Sequence, residues 1–478
     1  MSDQSIPRTR ARGAAPSGDV VAAERGPVWV AYLFFASLLI PYYIKLGPVL
    51  LMPHRIVLIT FFVPFFLKLY VMRRCGPVIS ADWLMLGSAL WVAPALMTHY
   101  PFAQVIAPFG IHFHEFFGAY VLARVTIRSG EDFRRMVGVF FLVLLLLLPV
   151  AALESITRRP VLIDLIPGID IRPVNAGIRL NMRRAQTIFA HPILFGTFAS
   201  TGFGLFWYAL RPRGMRFPGV IVAVMNTIFS LSTGALLSIV AQTAFVTWEA
   251  IMKTTRNRWR LFAILSATGY IVIDLISNRS PFHVLVSYAT FSSGSAYNRI
   301  LIWRYGSDNV WANPFFGLGF NDWERPNWMG ASVDNFWLLM AMRYGLPMIL
   351  MMIAALFIIL RRVSLAKLVT EGDQLARAGY LTAFGGIVLA GGTVHYWHAM
   401  MAFVAFIFGS GVWAATGGAA RVPDTSETAE TPPERRSAYT RQTVGGGAIE
   451  GIRRTRPGRP QPVARASRRV SATTSSKS

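Results

Sequence analysis

Apolar residues fall in long runs separated by short polar segments, and the runs show no two-residue alternation of the kind a half-buried strand requires. A helix needs about 20 mostly apolar residues to cross roughly 30 Å of hydrocarbon. By that measure the chain reads as all-α, a polytopic transmembrane helical bundle of about twelve spans. They lie at 28–45, 54–72, 82–98, 104–123, 136–153, 188–209, 217–231, 234–252, 261–277, 335–360, 378–394 and 398–416. Between the seventh and eighth, Ser-Leu-Ser-Thr-Gly at 230–234 supplies the turn residues that divide one long apolar stretch in two.

Three regions follow. Residues 1–26 are polar, carry four arginines and lack the short apolar core of a removable signal, so they read as a disordered cytoplasmic N-terminus. Residues 27–416 form the transmembrane domain. Residues 417–478 are rich in Ser, Thr, Pro, Gly and Arg and read as a disordered basic cytoplasmic tail, with too few large apolar residues to bury a core. Its Arg454, Arg456, Arg459, Arg468 and Arg469 are suited to anionic headgroups or simply to solvent.

Charge supports the span pattern from independent residues. Cytoplasmic loops carry an excess of Lys and Arg, and every second connection here is basic: Arg73 and Arg74; Arg124, Arg128, Arg134 and Arg135; Arg211, Arg213 and Arg216; Lys253, Arg256, Arg258 and Arg260; Arg361, Arg362, Lys367 and Arg377. The turns at 99–103, 230–233 and 395–397 contain no Lys or Arg. Both termini then fall in the cytoplasm. Of 478 residues, 54% are hydrophobic and 15% charged, so the formal charge of +24 belongs to membrane orientation and not to a nucleic-acid footprint. A single cysteine, Cys75, excludes an internal disulfide framework.

Two outward loops break the charge rule. Residues 155–187 hold Arg158, Arg159, Arg172, Arg179, Arg183 and Arg184. Residues 278–334, the large loop before the tenth span, hold Arg279, Arg299, Arg304 and Arg325 among Trp303, Trp311, Trp323 and Trp328. Guanidinium forks suit phosphate oxygens and aromatic faces suit sugar rings, which together point to an extracytoplasmic site for an anionic glycan-lipid. Pairing with Asp164, Asp170, Asp308 and Asp322, with the tryptophans as an interfacial belt, accounts for the same residues without a site. His112, His114 and Glu115 interrupt the fourth span; ionisable groups at that depth mark either function or a hydrogen-bonded helix contact. His395 and His398 flank the last outer turn and lack the further ligands of a catalytic zinc site.

The stretch AYNRILIWRYGSDNVWANPFFGLGF, residues 296–320, places an Arg before an apolar-Trp segment and a Pro-hydrophobic-Gly-x-Gly turn. SVDNFWLLMAMRYGLPM, residues 332–348, sets nine residues between Asn335 and Gly345, and RRAQTIFAHPILFGTFAS, residues 183–200, opens a central span. In these features and their order the chain resembles the O-antigen ligase and polymerase superfamily, lipid-linked glycan transferases of the bacterial inner membrane. It departs from the ligase pattern at Asp334, where that pattern has His.

The resemblance implies a transferase that moves a polyprenyl-pyrophosphate-linked glycan onto a lipid or glycan acceptor outside the inner membrane, among membrane lipids, with no cofactor, metal or nucleotide. On that reading Arg184, Arg299 and Asp334 are the catalytic candidates. Arg183, Arg304, Asn335, His191 and Glu115 are the substrate-binding ones. Arg184 and Arg299 would stabilise departing pyrophosphate, Asp334 would accept a hydroxyl proton and Asn335 would orient the acceptor. Helix capping at the start of the tenth span is the simpler role for Asp334 and Asn335, and His191 before Pro192 marks a helix start. Ligase and polymerase remain open, and a secondary transporter or flippase is the competing class.

Overall fold

A computed structural model describes residues 25–46, 49–165, 177–276 and 293–417. The expectations for the N-terminal segment, the tail from 418 on and the loop portions 166–176 and 277–292 lie outside these residues.

A helix occurs at each of the twelve positions read from hydropathy. In chain order they are α1 (Val28–Leu38), α2 (Pro53–Val71), α3 (Ser80–Met97), α4 (Phe102–Thr126), α5 (Gly130–Thr157) and α6 (Pro192–Ala209). Then come α7 (Arg216–Phe229), α8 (Thr233–Ile251) and α9 (Arg258–Ile276). A helix of the large loop, α10 (Ser293–Ala312), precedes α11 (Phe336–Leu365), α12 (Glu371–Gly391) and α13 (Ala399–Ser410). Among the described residues six, α2, α4, α5, α8, α9 and α11, are long and apolar enough to cross a membrane, and α1 and α13 are shorter apolar helices. Among the described residues strand is confined to two small antiparallel hairpins, Ile44–Leu46 with Val49–Leu51 and Ile178–Arg179 with Met182–Arg183.

Local sequence fixes several ends. Ser129 caps α5, its hydroxyl accepting the Asp132 N–H at 3.1 Å, and Glu131 and Asp132 complement the helix N-terminus. Thr370 caps α12 in the same way. The first helix stops at Leu38, short of the expected 45. Pro41 cannot continue an α-helical hydrogen-bond ladder, and the chain turns into the first hairpin. The expected break at 230–233 is present, with Leu231 at φ 45° between α7 and α8.

The core is aromatic. Phe198 of α6 lies 4.5 Å from Phe403 of α13 and 4.9 Å from Phe140 of α5, while Phe34 of α1 stacks on Phe406 at 5.1 Å. Leu142, Leu145, Leu146 and Ile156 of α5 and most of α9 instead face outward, an apolar surface that suits hydrocarbon. One buried ion pair ties α3 to α4: Arg124 Nε donates to Asp82 Oδ1 at 2.9 Å, and the Tyr120 hydroxyl donates to the same oxygen at 2.6 Å. Arg124, counted above among loop charges, is thus a core residue.

Connections sort into two groups by their hydrogen bonds. At one end Arg179 Nη1 donates to the Leu231 carbonyl (2.9 Å), Phe336 N–H donates to the Val394 carbonyl (3.0 Å), and His99 Nε2 lies 2.8 Å from the Gly317 carbonyl. At the other, Gly26 N–H donates to Asp132 (2.9 Å), Arg211 to Glu131 (3.2 Å), and Arg213 pairs with Glu371.

Candidate functional site

The site end is organised by a broken helix. Within α11, Gly345 adopts φ 80°, ψ 173°, which interrupts the intrahelical ladder and leaves carbonyls of the preceding turn without their usual donors. The 314–320 turn supplies replacements: Leu318 N–H donates to Met342 O at 2.7 Å and Gly319 N–H to Arg343 O at 3.0 Å, while Leu346 N–H returns to Pro314 O at 2.6 Å. Gly317 and Gly319 take φ 68° and 63°; a Cβ on Gly317 would meet the Met342 and Arg343 backbone of α11, and one on Gly319 would meet Tyr100 and His99. Trp91 of α3 closes the junction through its indole N–H to Tyr344 O at 3.1 Å. Two of the three segments that carry the family resemblance, 296–320 and 332–348, thus form one packed unit.

That unit presents Asp334 and Asn335 at the start of α11. Asn335 is the cap: its Oδ1 accepts the Leu338 N–H at 3.0 Å, and its side chain is buried. Asp334 is half-buried, takes no part in the cap and accepts only the Ser332 hydroxyl, at 3.1 Å. It lines a cavity of about 330 Å³ with Arg343, His395, Trp397 and Asn321.

Arg184 and Arg299 lie within electrostatic range of Asp334, and Arg179 lies within range of both arginines. Arg184 is 6% exposed and donates from Nε to the Ser230 carbonyl at 3.3 Å. Burial pushes its guanidinium down to about 10, Arg179 and Arg299 acting the same way and Asp334 opposing. Burial likewise lowers Arg299, opposed by Asp334 and reinforced by Arg179. All three still carry full charge at neutral pH. The buried Nε of Arg299 has no hydrogen-bond partner, and among the described residues none of the three arginines forms an ion pair with Asp334 within 4.0 Å. Mutual repulsion in a partly desolvated pocket disfavours this arrangement unless an anion completes it.

His191 caps α6 through Nδ1, which accepts the Ile193 N–H at 3.1 Å, and Pro192 occupies the first helical position. Burial holds its imidazole down to about 4, with Arg184 adding to the effect, so it is neutral. Its ring lies 6.1 Å from that of Trp397.

The remaining candidates stand apart. Arg183 lies within electrostatic range of Glu154, whose Oε2 accepts the Gln186 and Thr187 N–H groups at 2.9 Å each. Arg304 is exposed on α10 over the ring of Tyr305. Glu115 sits in a π-turn of α4, His114–Gly118, where it pairs with Arg55. In the sequence Arg179 counted only as loop charge and His395 only as a weak metal-ligand candidate, while Arg343 and Trp397 were overlooked. An Arg on the same wrong-side loop as Arg184 was the available signal for the first; the others become visible only when the chain folds the 394–398 turn against α11.

Residues 218–353 match the family model for O-antigen ligase. The matched segment holds Arg299, Asp334, Asn335 and the Gly317–Gly345 junction, and leaves Arg179, Arg184 and His191 outside it. No curated protein matches the chain. The matched segment is similar to the O-antigen ligase family and supports that superfamily, and the long apolar helices suit a membrane protein.

Proposed function

We propose that the protein is a multi-pass glycosyltransferase of the bacterial inner membrane, with both termini cytoplasmic and twelve spans. It transfers a saccharide from a polyprenyl-pyrophosphate donor to a lipid or glycan acceptor at the outer face. The observation that carries this reading is the grouping of Arg184 and Arg299 within electrostatic range of Asp334, with Arg179 in range of both arginines and, among the described residues, no ion pair to satisfy them. A pyrophosphate diester brings the negative charge that such a cluster requires.

In the step we envisage, the acceptor hydroxyl oxygen forms a bond to the anomeric carbon, whose bond to the pyrophosphate oxygen breaks. The hydroxyl proton passes to Asp334, and polyprenyl pyrophosphate departs with the bonding pair, its charge held by Arg184 and Arg299. Asn335 acts through its cap, fixing the backbone that presents Asp334. Neutral His191 lies beside Trp397, and neither Arg304 nor Glu115 has a direct part.

A strain lacking the protein separates the two acceptor classes. Accumulated lipid-linked chains of full length indicate lost ligation; accumulated single repeats indicate lost polymerisation. A lipid-linked pool of parental size and composition would remove the transferase reading.

A further inference from the structure

Glu115, expected at the substrate, has a different partner. A π-turn inserts one extra residue into a helical turn and re-aims its side chains, a feature found mostly at functional sites. Here it directs Glu115 inward, where Oε1 accepts Arg55 Nε at 2.7 Å and lies 3.1 Å from His54 Nε2. Glu115, Arg55 and His54 are all buried, exposed by 4%, 3% and 2%. Such a group is costly inside a bundle and gives weak net stability for its position.

Arg55 does more than neutralise Glu115. Its Nη2 lies 3.2 Å from His398 Nδ1, and Nη1 donates to the Leu50 carbonyl. His398 occupies φ 52°, ψ −134°, a backbone region that side-chain-bearing residues rarely adopt. Residues held there persist only where their surroundings over-determine them. The preceding residue, Trp397, lines two cavities at once: the polar one with Asp334, and a more apolar one of about 290 Å³ bordered by Tyr42, Phe189 and His54. The same turn is tied at its other end to α11, by Phe336 N–H to Val394 O at 3.0 Å.

We propose that Arg55, oriented by Glu115 and His54, is a positioning residue for the transfer reaction: through His398 it holds Trp397 as the wall between the polar cavity and the apolar one, against the saccharide at Asp334. The inference rests on the transferase reading for its kinetic consequence, though the placement of Trp397 is a structural claim in its own right.

His398→Gly is the discriminating variant, because glycine accepts the positive φ while the link to Arg55 is lost. Arg55→Lys keeps the charge beside Glu115 but not the fork that reaches both partners. With purified protein in proteoliposomes, both should lower kcat on the order of tenfold or more. Donor KM should change little, since the arginines that face pyrophosphate are untouched, and the unfolding temperature should stay at the parental value. The double variant should be no slower than the worse single one, because both remove one tie.

Parental kcat in both variants, additive losses in the double variant, or a loss matched by unfolded protein would overturn the proposal. Fluorotryptophan NMR supplies a test without turnover: the Trp397 resonance, assigned with Trp397→Phe, should shift in His398→Gly and Arg55→Lys. An unmoved resonance sinks the positioning role whatever the protein transfers, whereas a shifted resonance in a parent that transfers nothing sinks only the transferase reading.

Discussion

Gly345 packs against Phe315 so closely that a Cβ placed on it would lie 2.0 Å from the Phe315 carbonyl oxygen. The contact is made by backbone and cannot relax by a rotamer change, and Gly345 also holds φ 80°. Gly345→Ala should therefore destabilise the protein by more than about 2 kcal/mol. Gly330→Ala, with open space around the position, should be neutral. Thermal unfolding in detergent checks both; equal midpoints for the two variants would contradict the junction described.

Asp334 and Asn335 are adjacent yet separable. Asn335→Ala removes the α11 cap and should cost about 1 kcal/mol, while Asn335→Asp, which keeps an acceptor oxygen, should cost much less. Asp334→Asn leaves the cap intact, so its unfolding midpoint should equal the parent's while transfer falls at least a hundredfold if Asp334 is the base. Asp334→His restores the residue of the ligase pattern and should retain activity with an altered pH profile. Parental turnover in Asp334→Asn would withdraw the base assignment.

Acid should weaken the site end. His191 is held down to about 4 and His395 to about 3, both from 6.5 and both chiefly by burial. Between the unfolded and folded values the unfolded chain binds a proton that the folded chain does not. Their stabilising share is thus complete above about pH 6.5 and lost progressively as pH falls toward about 4. The unfolding midpoint should drop from about pH 7 to about pH 5, and His191→Asn, which keeps a capping side chain, should flatten that slope. A slope unchanged by His191→Asn would exclude His191 as a contributor.

The two-ended sorting of loops makes a topological prediction. With Cys75 replaced by Ala, a cysteine at exposed Tyr297 should react with a membrane-impermeant thiol reagent added from outside, and one at exposed Arg213 should react only after the membrane is opened. The reverse pattern would place the arginine cluster in the cytoplasm and remove the proposed donor from reach.

Much of this was legible in the chain. Hydropathy located a helix at every expected position, because a run of apolar residues in a bilayer has no other way to satisfy its backbone. The wrong-side arginines pointed to Arg184 and Arg299, since charge that opposes the orientation signal needs another reason to be there. Less could be read of Asp334 and Asn335: composition allows either to cap α11, and only the fold assigns the cap to Asn335. The partner of Glu115 was out of reach, because a π-turn has no sequence pattern and Arg55 and His398 are brought to it from distant helices. The α10 helix of the outer loop escaped hydropathy for a simpler reason, its mixed polar and apolar sequence.

The arginine cluster is the central claim, and reconstituted transfer tests it most directly. Parent, Arg184→Ala, Arg299→Ala and the corresponding Lys variants, each in proteoliposomes with a polyprenyl-pyrophosphate-linked saccharide and a glycolipid or glycan acceptor, would be compared by mass analysis of products. The parent should yield the elongated acceptor and free polyprenyl pyrophosphate. Each Ala variant should lose at least about a hundredfold in rate with its unfolding midpoint preserved, and Lys should rescue poorly because it lacks the guanidinium fork. Parental rates from both Ala variants would contradict the account.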